Sequence, residues 1–297
     1  MRKISLKEKN YKLALGTVNF GLKYGIKSNS KVSFKDIKKI IITSFNNKIN
    51  YIDTSQAYNN AEKILGKFNL KKFNIITKIK FYKKNISFPE EETFAKVNKS
   101  LKDLNISKIY ALLIHDYKDC TRPNSKKVFN VLKKLKKMGK IKNIGISINS
   151  PKEYYIAKKF FKFDIVQCPL NLFDRRLVSS GLKEDLRKNK IKLIVRSIFL
   201  QGLLLLKMQQ KPKFFINKKL WFNWHTWLKK NKIKNRDAAL NYILQNINKN
   251  DIILSGVDSA TQLKQILNTK VNLKMKIPKN LSTKNTKILE PSRWDIK

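Results

Sequence analysis

The chain has 297 residues, 42% of them hydrophobic, and a formal net charge of +46 from 66 Lys and Arg against 20 Asp and Glu. Only eight of the 66 are Arg, the side chain that grips phosphates and base edges through paired hydrogen bonds, so we expect no specific nucleic-acid partner. Two cysteines, Cys120 and Cys168, are too few for a disulfide framework or a four-cysteine metal site, so we expect a cytoplasmic protein without a bound metal. No run approaches the roughly 18 apolar residues of a membrane helix, so we expect no membrane span.

Short runs rich in β-branched residues recur along the chain and predict eight buried parallel strands. In chain order they cover residues 12–16, 51–54, 74–78, 109–115, 142–147, 164–168, 192–197 and 251–256. Segments with helical periodicity fill the intervals between these strands.

Several of the predicted helices carry start or end signals. Ser33 is expected to cap the first of them. The buried face of that helix is predicted to consist of Ile37, Ile40, Ile41 and Phe45. Residues 89–92, a Pro followed by three Glu, suit the first turn of a later helix because the helix dipole favours acids there. Residues 138–140 are expected to end another helix, and 237–244 and 260–267 are predicted to form the last two.

Eight strand–helix units of about 30 residues each predict an α/β protein with a (β/α)8 fold, the TIM barrel. The competing fold, a doubly wound open sheet, usually carries G-x-G-x-x-G after its first strand, whereas residues 16–21 read G-T-V-N-F-G. We find no linker, so residues 1–297 are predicted to form a single domain. Within it, residues 201–236 are expected to be an insertion over the barrel mouth, and 272–297 a basic tail.

An aromatic run, W-F-N-W-H-T-W at residues 221–227, lies inside the expected insertion. We interpret it as a helix packed over the barrel mouth. An interfacial membrane helix and a stacking platform for single-stranded nucleic acid are the alternatives for this composition.

Four ionisable side chains follow apolar runs where three consecutive strands end. Asp53 and, shortly after it, Tyr58 follow the second strand, while Lys78 ends the third and His115 the fourth. The carboxyl ends of barrel strands meet at one mouth, so we expect the four side chains to converge. A phenol has a pKa of about 10, too high for ready proton donation at neutral pH, but an adjacent ammonium stabilises the phenolate. Such a set can deliver a proton to a carbonyl oxygen that gains negative charge, as it does under hydride attack.

These residues belong to a longer series of motifs that resembles the aldo-keto reductases, (β/α)8 oxidoreductases that use nicotinamide cofactors. The similarity covers about residues 13–267. Its motifs are L-G-T-V-N-F-G at 15–21, I-D-T-S-Q-A-Y at 52–58, E-K-I-L-G at 62–66, T-K at 77–78, L-I-H at 113–115, G-K-I-K-N-I-G-I-S at 139–147 and Q-C-P-L-N at 167–171. The resemblance implies that Tyr58 donates a proton, that Lys78 and Asp53 support it, and that His115 orients the carbonyl.

The resemblance also implies a nicotinamide cofactor along the strand ends. It assigns Ser147 and Gln167 to the nicotinamide carboxamide. Arg196 takes the place of an aromatic side chain that often stacks on the nicotinamide ring, a role that a planar guanidinium can also fill. The other residues expected to contact the cofactor are Gly16, Thr17, Asp53, Ser197, Leu200, Gly202, Gly256, Asp258, Ser259 and Gln262.

The sequence departs from the family pattern at two places. Ile148 stands where the family often has an Asn beside the carboxamide. Gln262 and Ile266 stand where members that prefer the 2′-phosphate usually carry Arg and Asn. The family's habit favours NADP as the cofactor, whereas Asp258 would repel a 2′-phosphate and favours NAD.

The leading hypothesis is therefore an NAD(P)H-dependent oxidoreductase that reduces a small aldehyde or ketone to an alcohol, with the proton coming from Tyr58. The alternative is a catalytically idle barrel of the same family that acts as a regulatory or polyanion-binding subunit. A weaker third hypothesis is a different barrel enzyme, such as an isomerase, that uses Lys78 and His115 without a nicotinamide. The sequence identifies neither the substrate nor the oligomeric state.

Overall fold

Eight parallel strands close into a barrel in the computed structural model, which describes residues 5–8, 10–26, 30–81, 89–216 and 219–294. The strands are β1 Lys12–Gly16, β2 Tyr51–Asp53, β3 Asn74–Ile79, β4 Ile109–Ile114, β5 Ile141–Ser147, β6 Ile165–Pro169, β7 Lys192–Arg196 and β8 Ile252–Gly256. Each strand pairs with the next, and β8 returns to pair with β1 in the register Lys12↔Ile252 to Gly16↔Gly256. The predicted (β/α)8 fold in a single domain is confirmed.

The strand ends differ slightly from the predicted ones, and the differences fall beside the site. Thr54, His115 and Ser197 were expected to be the last residues of their strands, but each lies one residue beyond. Lys78 was expected to end the third strand, but β3 continues to Ile79, and β6 likewise runs one residue further than predicted. Ser197 lies outside β7 because its φ of +56° is left-handed and departs from the extended backbone of a strand. His115 still donates its backbone N–H to Ile79 O (2.9 Å), so its position stays fixed against β3.

Helices lie between the strands. They are α1 Val18–Gly21, α2 Phe34–Asn46, α3 Ala61–Leu65, α4 Pro89–Asp103, α5 Ser125–Lys137, α6 Pro151–Ala157, α7 Arg176–Ser179, α8 Leu182–Lys188, α9 Lys213–Ile216, α10 Lys219–Lys230, α11 Asn235–Asn246, α12 Ala260–Leu267 and α13 Thr286–Leu289. Ser33 caps α2 as predicted, since its hydroxyl accepts from the backbone N–H of Asp36. The predicted position of Phe45 on the buried face of α2 is wrong: Phe45 is 47% exposed, and Ser44, one position earlier, faces the core.

One apolar cluster lies inside the barrel and a second lies outside it, against the helices. Ile76 and Lys78 are two residues apart in β3 and so point to the same side, which is the barrel interior. The interior cluster consists of Ala14, Ile76, Ala111, Leu113, Ile165, Ile194, Ile252 and Leu254. The larger cluster fills the space between the strands and the helices. Near the carboxyl ends of the strands, which form the barrel mouth, the buried side chains include the polar Asp53, Lys78 and Gln167.

The segment 201–236 contains the short 3-10 helices Leu203–Leu205 and Met208–Gln210, followed by α9 and α10. Trp221 and Trp224 of α10 are fully buried and contact Phe173, with ring centroids 4.6 and 5.9 Å away. These two indole rings belong to the core, so they do not form a stacking platform. In residues 272–294, α13 packs through Ile288 and Leu289. Among the described helices, none is long and apolar enough to cross a membrane.

Candidate functional site

A buried ion pair lies where β2 and β3 reach the barrel mouth. The Lys78 ammonium is 2.5 Å from Asp53 Oδ1 and 3.0 Å from the carbonyl oxygen of Thr54. Burial by itself lowers the pKa of Lys78, but the Asp53 carboxylate and the Tyr58 hydroxyl outweigh it and raise that pKa above its ordinary value. Lys78 is therefore a fixed cation at the floor of the mouth.

The Tyr58 hydroxyl accepts a hydrogen bond from the Lys78 ammonium, with Nζ 3.3 Å from Oη. A tight turn after β2 holds the tyrosine, because its N–H donates to Ser55 O (3.0 Å) and its carbonyl accepts from Ala61 N (3.1 Å). Gly21 permits this turn to sit close to the barrel, since a Cβ at that position would lie 1.8 Å from Tyr58 O. The half-buried phenol thus presents its hydroxyl between the ammonium and the cavity described below.

His115 approaches the same phenol from β4. Its ring meets the Tyr58 ring edge to face, with centroids 6.0 Å apart and an interplanar angle of 87°. Burial lowers the pKa of His115 to about 3, and the nearby cations Lys78, Arg196 and Lys80 add to the effect. The imidazole is neutral at physiological pH, so it acts as a hydrogen-bonding group without a charge.

Ser147 and Gln167 join the cluster from β5 and β6. Gln167 Nε2 donates to Asp53 Oδ2 (2.7 Å), and Ser147 Oγ donates to Gln167 Oε1 (3.2 Å). The structure thus forms one continuous polar chain from Ser147 through Gln167, Asp53 and Lys78 to Tyr58. The four predicted catalytic side chains converge, and two of the predicted cofactor residues are bonded into the same network.

A cavity of about 470 Å³ extends from Asp53 and Tyr58 to the start of α12. Its walls include most of the predicted cofactor residues: Gly16, Thr17, Asp53, Gln167, Arg196, Ser197, Gly202, Gly256, Asp258 and Gln262. Three others lie outside the walls. Ser147 is bonded as described, Leu200 is fully buried, and Ser259 caps α12 by accepting from the backbone N–H of Gln262.

The cavity suits an extended polar ligand such as a nicotinamide dinucleotide. Two buried wall atoms, Arg196 Nε and Asn19 Oδ1, have no hydrogen-bond partner among the described residues, which is the expected state of groups that a ligand satisfies. A Cβ on Gly256 would meet nothing nearer than Gly16 O at 3.8 Å, so glycine leaves space that a side chain would fill. The residues present therefore fit the cofactor.

Arg196 is held rigidly on the cavity wall. Its Nη2 donates to Ile148 O (2.9 Å) and to Asn149 Oδ1 (2.6 Å), and its Nη1 donates to Ser197 Oγ (3.1 Å). Within the described part of the chain it makes no ion pair with a carboxylate. Its guanidinium thus adds a positive charge to the cavity. Ile148 stands where the family often has Asn, and the amide beside Arg196 comes from Asn149, the next residue.

Several wall residues have no role that the sequence pattern predicts. Asn19 lies within the L-G-T-V-N-F-G motif, and its Nδ2 donates to Val257 O (2.7 Å) and Asp258 Oδ1 (2.8 Å), which joins the end of β1 to the end of β8. Tyr24 and Arg236 also line the cavity, from loops that carry no periodic signal. Over the described ranges, no group of three His, Cys, Asp or Glu side chains is placed to hold a metal ion.

Comparisons with known proteins agree with this fold. The sequence profile of the Aldo/keto reductase family matches residues 12–279. An aldo-keto reductase from Bacillus halodurans, solved in its holo form, has a TM-score of 0.69 and 18% identity over 90% of this chain and 88% of that one. A glycerol dehydrogenase from Gluconobacter oxydans has a TM-score of 0.67 and 21% identity over 86% and 85%. At these identities the likeness shows a shared fold.

No curated protein sequence matches the chain at a significant level. The family profile, however, spans all eight strands and every residue of the polar chain. The chain belongs to the aldo/keto reductase family.

Proposed function

We propose that this chain reduces an aldehyde or ketone to an alcohol, with NADPH or NADH as the hydride source and Tyr58 as the proton donor. Family membership supports NAD(P)H-dependent oxidoreduction in general. The observation that carries the finer proposal is the contact chain from Asp53 through Lys78 to Tyr58 at one end of the cavity.

The cavity wall supplies the groups that would hold the cofactor. Bound there, a reduced nicotinamide supplies the hydride that adds to the carbonyl carbon. Arg196 Nε and Asn19 Oδ1, the two wall atoms without partners, would each gain a hydrogen bond from such a ligand. Gly16 and Gly256 would let the backbone approach it closely. We propose NADPH, following the family's habit, with NADH as the form that Asp258 favours.

Tyr58 is the group placed to supply the proton. When the carbonyl oxygen gains negative charge, the Tyr58 hydroxyl can transfer its proton to that oxygen. The phenolate left behind lies 3.3 Å from the Lys78 ammonium, and Asp53 keeps that ammonium in place. Hydride at carbon and proton at oxygen together yield the alcohol.

His115 would orient the carbonyl rather than protonate it. With its pKa lowered to about 3, the ring holds no transferable second proton at neutral pH. A neutral imidazole beside Tyr58 can still donate one hydrogen bond to the carbonyl oxygen. The two side chains would thus bind the same oxygen from two directions, which fixes the carbonyl for attack.

The experiment is a screen of aldehydes and ketones with NADPH and NADH, followed through the absorbance of the reduced cofactor. Tyr58→Phe should then lower kcat at least about 100-fold, the scale of lost general acid catalysis, while cofactor binding measured by quenching of tryptophan emission stays near wild type. Tyr155→Phe, which removes a hydroxyl on α6, is the matched control and should keep full activity. Turnover by Tyr58→Phe within a few-fold of wild type would contradict the proposed proton donor.

The same preparation tests the idle-barrel alternative. An idle regulatory subunit would reduce no carbonyl compound, whether or not NADPH quenches its tryptophan emission. We favour the enzyme because a barrel without catalysis has no need for a buried ion pair joined to a half-buried phenol, and a buried ion pair adds little stability by itself.

A further inference from the structure

Ser55 is a fully buried residue beside the catalytic cluster to which the proposed mechanism gives no role. It follows Asp53 and Thr54 at the end of β2. Its hydroxyl oxygen lies within hydrogen-bond distance of three groups: the backbone nitrogen of Ala57 (3.1 Å), the carbonyl oxygen of Lys78 (3.3 Å) and Nδ1 of His115 (3.2 Å). This hydroxyl therefore joins the turn that carries Tyr58 to the ring that faces it.

Counting protons leaves two arrangements of these hydrogen bonds: Ser55 donates to His115 Nδ1, or it donates to Lys78 O and accepts from a protonated Nδ1. The Ala57 N–H donates to Ser55 Oγ, so the hydroxyl keeps a single proton to give. It has two acceptors within reach. Lys78 O already accepts a hydrogen bond from the backbone N–H of Gln56 (3.3 Å), whereas Ser55 is the hydrogen-bond partner of His115 Nδ1 in the described structure. Because Lys78 O is satisfied without Ser55, and because the Nδ1 contact is the shorter of the two (3.2 against 3.3 Å), we place the hydroxyl proton on the imidazole.

We propose that Ser55 is a positioning residue that donates to His115 Nδ1 and so holds the imidazole in its Nε2–H form. Because the ring is neutral over the physiological range, the only remaining choice is which nitrogen carries the proton. An acceptor role for Nδ1 leaves the proton on Nε2, on the far side of the ring from Ser55.

The consequence rests on the proposed function. A carbonyl oxygen that meets Nε2–H gains a hydrogen bond, whereas one that meets a bare Nε2 lone pair is repelled. Without the Ser55 hydroxyl, His115 can take either form, and molecules with the proton on Nδ1 cannot orient the carbonyl. Ser55 thus acts on the carbonyl through the ring, while its hydrogen bond from Ala57 N–H supports the turn that carries Tyr58, so the spectrum of the ring is the readout specific to the proposal.

The test is ¹⁵N NMR of the two imidazoles. The chain has only two histidines, His115 and His225, so selective labelling gives two ring systems, and His225→Asn assigns them. A ring nitrogen that carries a proton and one that carries a lone pair have well-separated ¹⁵N shifts, so the form of His115 is read directly. We expect protonated Nε2 in the wild type and a detectable Nδ1–H population in Ser55→Ala.

Kinetics and a matched control complete the experiment. Ser55→Ala should lower kcat about five- to tenfold, the usual size of one neutral hydrogen bond, with little change in cofactor affinity. Ser44→Ala is the control, because Ser44 is a buried serine whose hydroxyl has no partner in the described structure, and it should change neither the His115 spectrum nor kcat.

Two results would overturn the proposal: a wild-type His115 with its proton on Nδ1, or a Ser55→Ala spectrum identical to that of the wild type. The spectrum is recorded without substrate, so it stands apart from the proposed function. If Nε2–H is lost in Ser55→Ala while no carbonyl compound is reduced by any variant, the role of Ser55 holds and the proposed activity falls.

Discussion

Replacing Lys78 by Met separates what the buried ion pair does for the fold from what it does for catalysis. Both partners of the pair are almost fully buried, and the methionine fills a similar volume without the charge. The change leaves the Asp53 carboxylate buried, with the Gln167 amide as its one side-chain donor among the described residues. Breaking a buried pair from one side typically destabilises a protein by about 3–5 kcal/mol, so Lys78→Met should lose much of its free energy of unfolding.

The effect on catalysis can be estimated from the 3.3 Å between Lys78 Nζ and Tyr58 Oη. A cation and a phenolate at that distance attract each other by roughly 5 kcal/mol at an effective dielectric constant of about 20. If half of that acts in the transition state, kcat falls on the order of 100-fold, because about 1.4 kcal/mol corresponds to a factor of ten. Lys78→Met should therefore be both unstable and nearly inactive.

The double variant Lys78→Met/Asp53→Asn distinguishes the two effects. Removing the uncompensated carboxylate charge should restore most of the stability, while the missing ammonium keeps kcat low. Urea unfolding measures the first quantity and cofactor oxidation with a carbonyl substrate the second. Recovery of activity together with stability would show that Lys78 serves the fold alone, and our account of the phenolate would be wrong.

Three further predictions concern pH, cofactor and salt. The pKa of His115 is about 3 in the folded chain against its ordinary 6.5, so the unfolded chain binds the extra proton first, and stability is full above pH 6.5 and declines as the pH falls. His115→Asn should remove about 2 kcal/mol of that decline between pH 6.5 and about 5, as measured by urea unfolding. Asp258→Asn should tighten NADPH binding about fivefold, as the loss of a ~1 kcal/mol repulsion between close charges in water requires, and leave NADH unchanged in the same titration. If the +46 charge has no specific partner, retention on DNA should show no sequence preference and should be lost between roughly 50 and 200 mM salt, while carbonyl reduction persists. A sequence-selective complex at about 200 mM salt would contradict this prediction.

Strand-end chemistry explains why the centre of the site was predictable. In a parallel barrel, a polar residue that follows a buried apolar run must emerge at the mouth, so Asp53, Lys78 and His115 could be grouped before any distance was known. The predicted strand ends placed these side chains at the same level along the barrel axis. Their contacts then follow from the order of β2, β3 and β4.

Other residues were missed because their contacts are not visible in local sequence. Ser55 sits inside a recognised motif, yet its partner His115 lies 60 residues away and is reached only after the barrel forms. Tyr24 and Arg236 come from irregular loops, where no period predicts the direction of a side chain. Phe45 was misplaced for a simpler reason: one helical position rotates a side chain by about 100°, enough to move it from the core to the surface.

The seam between β1 and β8 has a consequence for when the chain can bind a ligand at all. Thr17 and Asn19 supply one part of the cavity wall, and residues 256–258 supply the neighbouring part. Asn19 joins the two parts across 239 positions of sequence. A nascent polypeptide therefore has no such cavity until its last strand has left the ribosome and met its first. A molecule that occupies this seam recognises only finished barrels, and by mass action it would protect them from unfolding and proteolysis.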